Sequence, residues 1–301
     1  MVMQTFSIEF NAMGGRCEIK IAADNDMAAH RVAMDAISEV RRIEHKFSRY
    51  RTDSIVSRMN ASAGKNWIDV DEETSSLLSY ANEVYLSSEG LFDITTGIVT
   101  RAWNFRDGII PSENQLRALL QRTGWEKVQH ANCRVYLAEQ GMEIDFGGFG
   151  KEYAADRAAG VLLASGAQHG YVNLGGDMRF IGPQPDGSAW QIGIQDPRDQ
   201  DKTIASIPMY GGAIATSGDY ERFFEINGKR YCHIVDPRNG EPVTFWRSIS
   251  VLAPLAITAG SCSTIAMLKQ QDGIDFLNRT GMRYLAVDQD GKLVVDEGRT
   301  F

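Results

Sequence analysis

The 301-residue sequence predicts an α+β protein. Helix-period segments crowd the first half and strand-period segments crowd the second. The two kinds are segregated rather than strictly alternating, which disfavours a doubly wound parallel sheet. In chain order, Cys17–Ala22 alternates like a half-buried strand. Residues 26–47 carry Ala33, Ile37, Val40, Ile43 and Phe47 at spacings of three and four, the stripe of an amphipathic helix. A second helix is expected near 72–88, with Leu77, Leu78, Ala81, Val84 and Tyr85 on one face. A short third follows Pro111 through Leu116, Leu119 and Leu120 and stops at Thr123-Gly124. An apolar strand ending at Asp145 leads through Gly147-Gly148 into a helix over 151–165, with Ala154, Ala158, Val161 and Leu162 inward. Strands are then expected at Tyr171–Leu174, Met178–Ile181, Trp190–Ile194 and Gly212–Thr216. Around Asn227-Gly228 the sequence reads strand, two-residue turn, strand. A strand at Ser248–Ala253 and a last helix over 261–278 complete the series. No low-complexity linker or fixed-period repeat divides the chain into independent domains.

Composition excludes several function classes. A formal net charge of −8 argues against broad nucleic-acid binding, which needs clustered basic charge, and against anchoring on anionic lipid. Cys17, Cys133, Cys232 and Cys262 are scattered and form no CxxC pair, so neither a zinc knuckle nor a dithiol centre is indicated. No stretch approaches the roughly 18 apolar residues that span a bilayer. The expected location is the cytoplasm for the chain as it stands, or the periplasm if a leader has been removed.

Four features carry chemistry. The hairpin around Asn227-Gly228 delivers His233 to the start of an Asp236-Pro237 turn, where an imidazole can take or give a proton or simply hold structure. Asp93 and Asp145 are flanked by apolar residues; each could grip a heteroaromatic ring or cap a helix, since a buried carboxylate needs a donor or a cation. Glycine pairs at 14–15, 147–148, 175–176 and 211–212 permit tight turns or close approach of a ligand, without forming a Walker or GxGxxG motif. Between 256 and 268, Ser261, Ser263 and Thr264 open an apolar helix. They can serve as N-caps or as oxygen donors for a hard cation such as Mg²⁺.

In combination and in order, these blocks are specific. Met13-Gly14 is followed by Phe47-Ser48-Arg49-Tyr50-Arg51-Thr52-Asp53-Ser54, then by Phe92-Asp93-Ile94-Thr95-Thr96-Gly97 with Trp103. Next come Asp145-Phe146-Gly147-Gly148-Phe149-Gly150-Lys151-Glu152-Tyr153-Ala154-Ala155-Asp156 and Val172-Asn173-Leu174-Gly175-Gly176-Asp177. Ser217-Gly218-Asp219-Tyr220, His233-Ile234-Val235-Asp236-Pro237 and Ser263-Thr264 close the series. Over about residues 8–280 this string resembles the FAD:protein FMN transferases, the ApbE family. The resemblance implies an ApbE-like α+β fold of two closely fused lobes, with residues 1–301 forming a single flavin-transferase domain. It implies a Mg²⁺-dependent enzyme that cleaves FAD, releases AMP and attaches FMN to a Thr or Ser of an acceptor flavoprotein. It implies flavin contacts from Met13, Tyr50, Leu91, Phe92, Asp93, Asp145, Lys151 and Val235, and His233 as the catalytic residue. Gly148, through its carbonyl, Ser263 and Thr264 fall at metal-ligand positions.

The sequence departs from the family at two places. Gly260 stands where the family's Ala-Asp-x-x-x-Thr pattern has its metal-binding Asp, and Glu152 replaces the usual glycine after the lysine. A cation site lacking that carboxylate should be weaker. The alternative function is therefore an FAD-binding relative with little or no transfer, or a slow FAD hydrolase. A ligand-free scaffold would leave His233, Asp93, Asp145 and Lys151 together unexplained.

Overall fold

A computed structural model describes residues 3–296. The chain runs β1 (Gln4–Ala12), β2 (Gly15–Ala23), α1 (Asp26–Phe47), α2 (Ile55–Ala61), β3 (Ile68–Asp69), α3 (Glu72–Ser87), α4 (Gly97–Ala102), α5 (Glu113–Leu120), β4 (Val128–Ala131) and β5 (Arg134–Leu137). It continues with α6 (Gly150–Ala164), β6 (Gly170–Leu174), β7 (Asp177–Gly182), β8 (Trp190–Asp196), β9 (Asp199–Met209), β10 (Gly212–Gly218), β11 (Phe223–Ile226) and β12 (Lys229–Cys232). β13 (Trp246–Ala253), α7 (Ala256–Leu268), α8 (Gly273–Thr280), β14 (Arg283–Asp288) and β15 (Leu293–Val295) finish it.

Eight strands form one antiparallel sheet in the order β1-β2-β6-β7-β10-β13-β14-β15. Side chains alternate across a strand, so the sheet has two different apolar faces. Val172, Leu174, Ala213, Ile249, Val251 and Ala286 join the main core with α1, α6 and α7. Their neighbours Tyr171, Phe180, Ile214, Leu285 and Val287 face the other way and pack with Trp190, Ile194, Ile207 and Met209 of the β8–β9 ribbon. Both faces are thus covered, by helices on one side and by the ribbon on the other.

The helices form where the apolar periodicity places them. α1 buries Ala33, Ile37, Val40, Ile43 and Phe47, and its first turn is capped by Asn25, whose side chain accepts from the Ala28 N–H at 2.9 Å. α3 buries Leu77, Leu78, Ala81 and Val84 behind an Asp71 cap. α5 opens with a Ser112–Gln115 capping box. The β11–β12 turn is the expected one, with Asn227 and Gly228 both at positive φ (51° and 75°).

Three local expectations are corrected. The last helix is two helices. α7 starts five residues earlier than the sequence suggests, and the chain breaks at Lys269–Asp272 before α8. Ser261, Ser263 and Thr264 therefore lie within α7 and are not N-caps; α7 has no side-chain cap from its own N-cap residue, Leu255. Residues 142–145 pair in no strand; Asp145, itself extended, opens a helical turn over Phe146–Gly148 that runs into α6.

The cap that α7 lacks comes from α6. Asp156 accepts the Ala256 N–H at 2.9 Å on Oδ1 and the Ile257 N–H at 2.9 Å on Oδ2, and Arg179 of β7 lies 3.2 Å away. Asp156→Ala should lower folding stability by about 3 kcal/mol, because two helix-end N–H groups and a guanidinium lose one largely buried partner. Urea unfolding followed by circular dichroism measures this; a loss within 0.5 kcal/mol, about the scatter of surface substitutions, would show that the link is dispensable.

Candidate active site

Two stretches far apart in sequence are stitched together first. Asp93 caps the turn Ile94–Thr96, its Oδ1 accepting the Thr95 N–H at 2.8 Å. Its Oδ2 accepts the Trp125 N–H at 3.0 Å. Burial pushes its carboxyl pKa up, against the pull of these hydrogen bonds. Asp145 caps the next turn through the Gly147 N–H at 2.9 Å, and its own N–H donates to the Ile94 carbonyl at 2.9 Å. Its other oxygen is 3.1 Å from Arg49, which also donates to the Gly97 carbonyl at 2.9 Å. A Cβ at position 97 would lie 2.6 Å from Arg49 Nη1 and 2.8 Å from Asp145 Cβ, so the block needs its glycine.

Around this frame the other flavin-side candidates divide into buried and open groups. Leu91 and Phe92 are buried, and the Phe92 ring stacks on Phe149 at 6.2 Å. A Cβ at Gly148 would meet Phe92 Cζ at 2.8 Å, so only glycine fits where the turn enters α6. Tyr50 is 77% exposed, with the Arg49 guanidinium 5.1 Å from its ring centroid and donating to its hydroxyl at 3.2 Å. Met13 holds a positive φ of 54° in the two-residue β1–β2 turn, a conformation L residues avoid; the Glu44 carboxylate fixes it by accepting its N–H at 2.7 Å.

The second group converges where α6 meets β7, β10 and α7. Lys151, in the first turn of α6, lies 2.8 Å from the buried Asp177 carboxylate and donates to the Gly175 carbonyl at 3.4 Å. Burial pulls the Lys151 pKa down, but the Asp177 and Glu152 charges outweigh it and hold the ammonium above its usual value. Asp177 also accepts the Thr216 N–H at 3.2 Å. The next residue, Ser217, places its hydroxyl 2.7 Å from Ser263 and 2.9 Å from Thr264. Ser263 is enclosed and donates to the Gly260 carbonyl at 3.0 Å, whereas Thr264 is partly exposed. Glu152 is buried, and its Oε2 has no hydrogen-bond partner among the described residues. Burial, then the nearby Asp177 charge, raise its pKa.

His233 follows β12. Its N–H donates to the Arg222 carbonyl at 3.0 Å, and its Nδ1 is buried without a partner among the described residues. Burial first, then the charges of Arg222 and Lys151, push its pKa down to about 3, so the ring is neutral near pH 7. Val235 is buried beside Ile98, Val99, Trp103 and Leu116, and bridges to Pro242.

Among the described residues no group of three or more His, Cys, Asp or Glu side chains is placed to hold a metal. The donors that do fit a hard cation are the Ser217–Thr264 hydroxyls and the free Glu152 oxygen. Sequence reasoning singled out neither Arg49 nor Asp177 nor Ser217 as site residues. All three stand in the quoted blocks, Asp177 and Ser217 next to glycines, so their charged or hydroxyl character inside those blocks is the available signal.

The chain belongs to the ApbE family, whose model matches residues 13–286. A relative from Klebsiella pneumoniae, called FAD:protein FMN transferase, is 28% identical over 96% of this chain and 94% of its own length. One of the same name from Escherichia coli is 28% identical over 81% of this chain and 73% of its own. The crystal structure of the ApbE protein from Thermotoga maritima superposes with a TM-score of 0.91 at 33% identity, covering 98% of this chain and 97% of that one. The flavinyl transferase ApbE from Pseudomonas stutzeri, in its apo form, superposes at 0.87 with 25% identity, covering 98% and 95%.

His233 should mark the acid stability of the fold. In the unfolded chain the imidazole binds a proton near pH 6.5, while in the folded chain it resists down to about pH 3. The unfolded state therefore binds more protons between these values, and stability falls as pH drops from 6.5 toward 3. Urea midpoints of the wild type should fall more steeply than those of His233→Gln between pH 7 and pH 5. Parallel slopes would contradict the buried neutral imidazole.

Proposed function

We propose that this protein transfers FMN from FAD to a Thr or Ser hydroxyl of an acceptor flavoprotein and releases AMP, with the whole chain acting as one catalytic domain. The observations that carry the reading are the Lys151–Asp177 pair, with Lys151 within electrostatic reach of His233, and a His233 ring nitrogen left without a partner among the described residues, in a chain of this family.

A hydroxyl attacks phosphorus poorly until its proton leaves. His233, uncharged at rest, accepts that proton once the substrate phosphates bring negative charge that offsets Arg222 and Lys151. The freed oxygen bonds to the phosphorus on the riboflavin side of the diphosphate, the P–O bond to the AMP phosphate breaks, and AMP departs with the bridging oxygen. Lys151, fixed by Asp177 and only partly exposed, sets a positive charge beside the substrate phosphates. Arg49 and Asp145 tie together the turns after Asp93 and Asp145, and Met13, Tyr50, Leu91, Phe92, Asp93, Asp145 and Val235 would frame the flavin dinucleotide. Mg²⁺ would be held by the Gly148 carbonyl and the Thr264 hydroxyl, with Ser263 orienting Thr264 through Ser217, and would neutralise diphosphate charge as AMP leaves.

Incubation with FAD, Mg²⁺ and candidate acceptors should add one FMN to the acceptor by intact mass, with stoichiometric AMP. FMN and AMP appearing free in solution, with no acceptor modified, would show a hydrolase instead. His233→Ala should abolish transfer while FAD affinity changes by less than about tenfold, roughly 1.4 kcal/mol. Transfer at the wild-type rate would reduce His233 to a structural role.

A further inference from the structure

The two departures from the family pattern meet in space. Glu152 lies in the first turn of α6, and Gly260 lies inside α7 in ordinary helical backbone. A Cβ built on Gly260 would lie 2.7 Å from Glu152 Cγ and 2.8 Å from Cδ, with Oε1 closer still. Non-bonded carbons do not approach so closely, so any side chain at 260 would force Glu152 out. The Glu152 carboxylate therefore fills the space into which an aspartate at 260 would project. The neighbouring donors are in place: the Gly260 carbonyl accepts from Ser263, and Ser263 and Thr264 both meet Ser217.

We propose that Glu152 supplies, from α6, the carboxylate that the family pattern supplies from α7, so that this chain keeps an anionic ligand for a divalent cation. With a cation bound, the exchange keeps one carboxylate in the site and changes the helix that carries it. Glu152 Oε2 is buried and has no partner among the described residues, and such an oxygen costs free energy unless a cation or a proton meets it. Its neighbour Lys151 lies close enough for their charges to interact but directs its ammonium to Asp177, leaving Oε2 without a hydrogen bond among the described residues. The inference rests on the proposed flavin-transferase reading, because the substrate diphosphate completes the ligand set. Gly260→Asp alone should therefore harm the site, by crowding Glu152.

The test is Mn²⁺ binding to the full-length protein with FAD present, followed by electron paramagnetic resonance. Glu152→Gln, which keeps the shape and removes the charge, should weaken Mn²⁺ binding at least tenfold. Glu152→Gly should do the same, and Glu152→Gly/Gly260→Asp should return the affinity to within about threefold of wild type. Melting temperature should fall for Gly260→Asp alone and recover in the double variant. Wild-type Mn²⁺ affinity in Glu152→Gln, no Mn²⁺ binding by the wild type, or failure of a folded double variant to recover would each overturn the proposal. FMN attachment by the wild type, measured alongside, separates these outcomes from failure of the transferase reading. If the wild type attaches FMN while Glu152→Gln binds Mn²⁺ normally, only the carboxylate exchange is wrong.

Discussion

The arrangement depends on one carboxylate that performs no chemistry. Asp156 of α6 receives the first two N–H groups of α7 and lies against Arg179 of β7. A helix start leaves its N–H groups without intrahelical partners, and α7 follows an exposed leucine that cannot cap it. By supplying the cap from a second helix, Asp156 fixes the separation of α6 and α7. Lys151 and Glu152 project from the first of these helices, and Gly260, Ser263 and Thr264 from the second. The close fit of Glu152 over Gly260 tolerates little sliding, so the cap and the site constrain each other.

Electrostatics then sorts the charges. Asp177 is buried but meets Lys151 and a main-chain N–H. Asp93 and Asp145 spend their oxygens on turn N–H groups, with Arg49 as the counter-charge for Asp145. His233 escapes charge altogether, since its burial and two nearby cations oppose protonation. What remains is the Glu152 Oε2, a buried carboxylate oxygen with no hydrogen-bond donor among the described residues. A polar group left open in an otherwise satisfied network is where an external partner fits best.

Much of this was legible in the sequence where the signal was local. The α1 and α3 stripes, the Asn227-Gly228 hairpin and the helix after Gly150 follow from periodicity and turn chemistry, and each lies where the pattern puts it. β14 was not read, because Tyr284, Leu285, Ala286 and Val287 are buried on both faces and lose the alternation that marks a half-buried strand. β9 was missed because much of its length is polar and it pairs only with β8. The break after α7 falls at Lys269–Asp272, four polar residues with no proline or glycine among them, so the sequence carries no stop signal there. For the site, the glycine and aspartate blocks could be read one at a time, yet their partners could not. Arg49 with Asp145, Lys151 with Asp177, and above all Glu152 with Gly260 join positions whose separation in sequence carries no register. Two apparent losses in the sequence become one exchange only when α6 and α7 are packed together.

The most direct measurement is a crystal structure of the protein grown with FAD and Mn²⁺, with the cation located by its anomalous scattering. The account predicts one peak between α6 and α7, about 2.1 Å from a Glu152 oxygen and from the Thr264 hydroxyl, touching the diphosphate. A peak elsewhere, or a flavin bound away from Lys151 and His233, would contradict it.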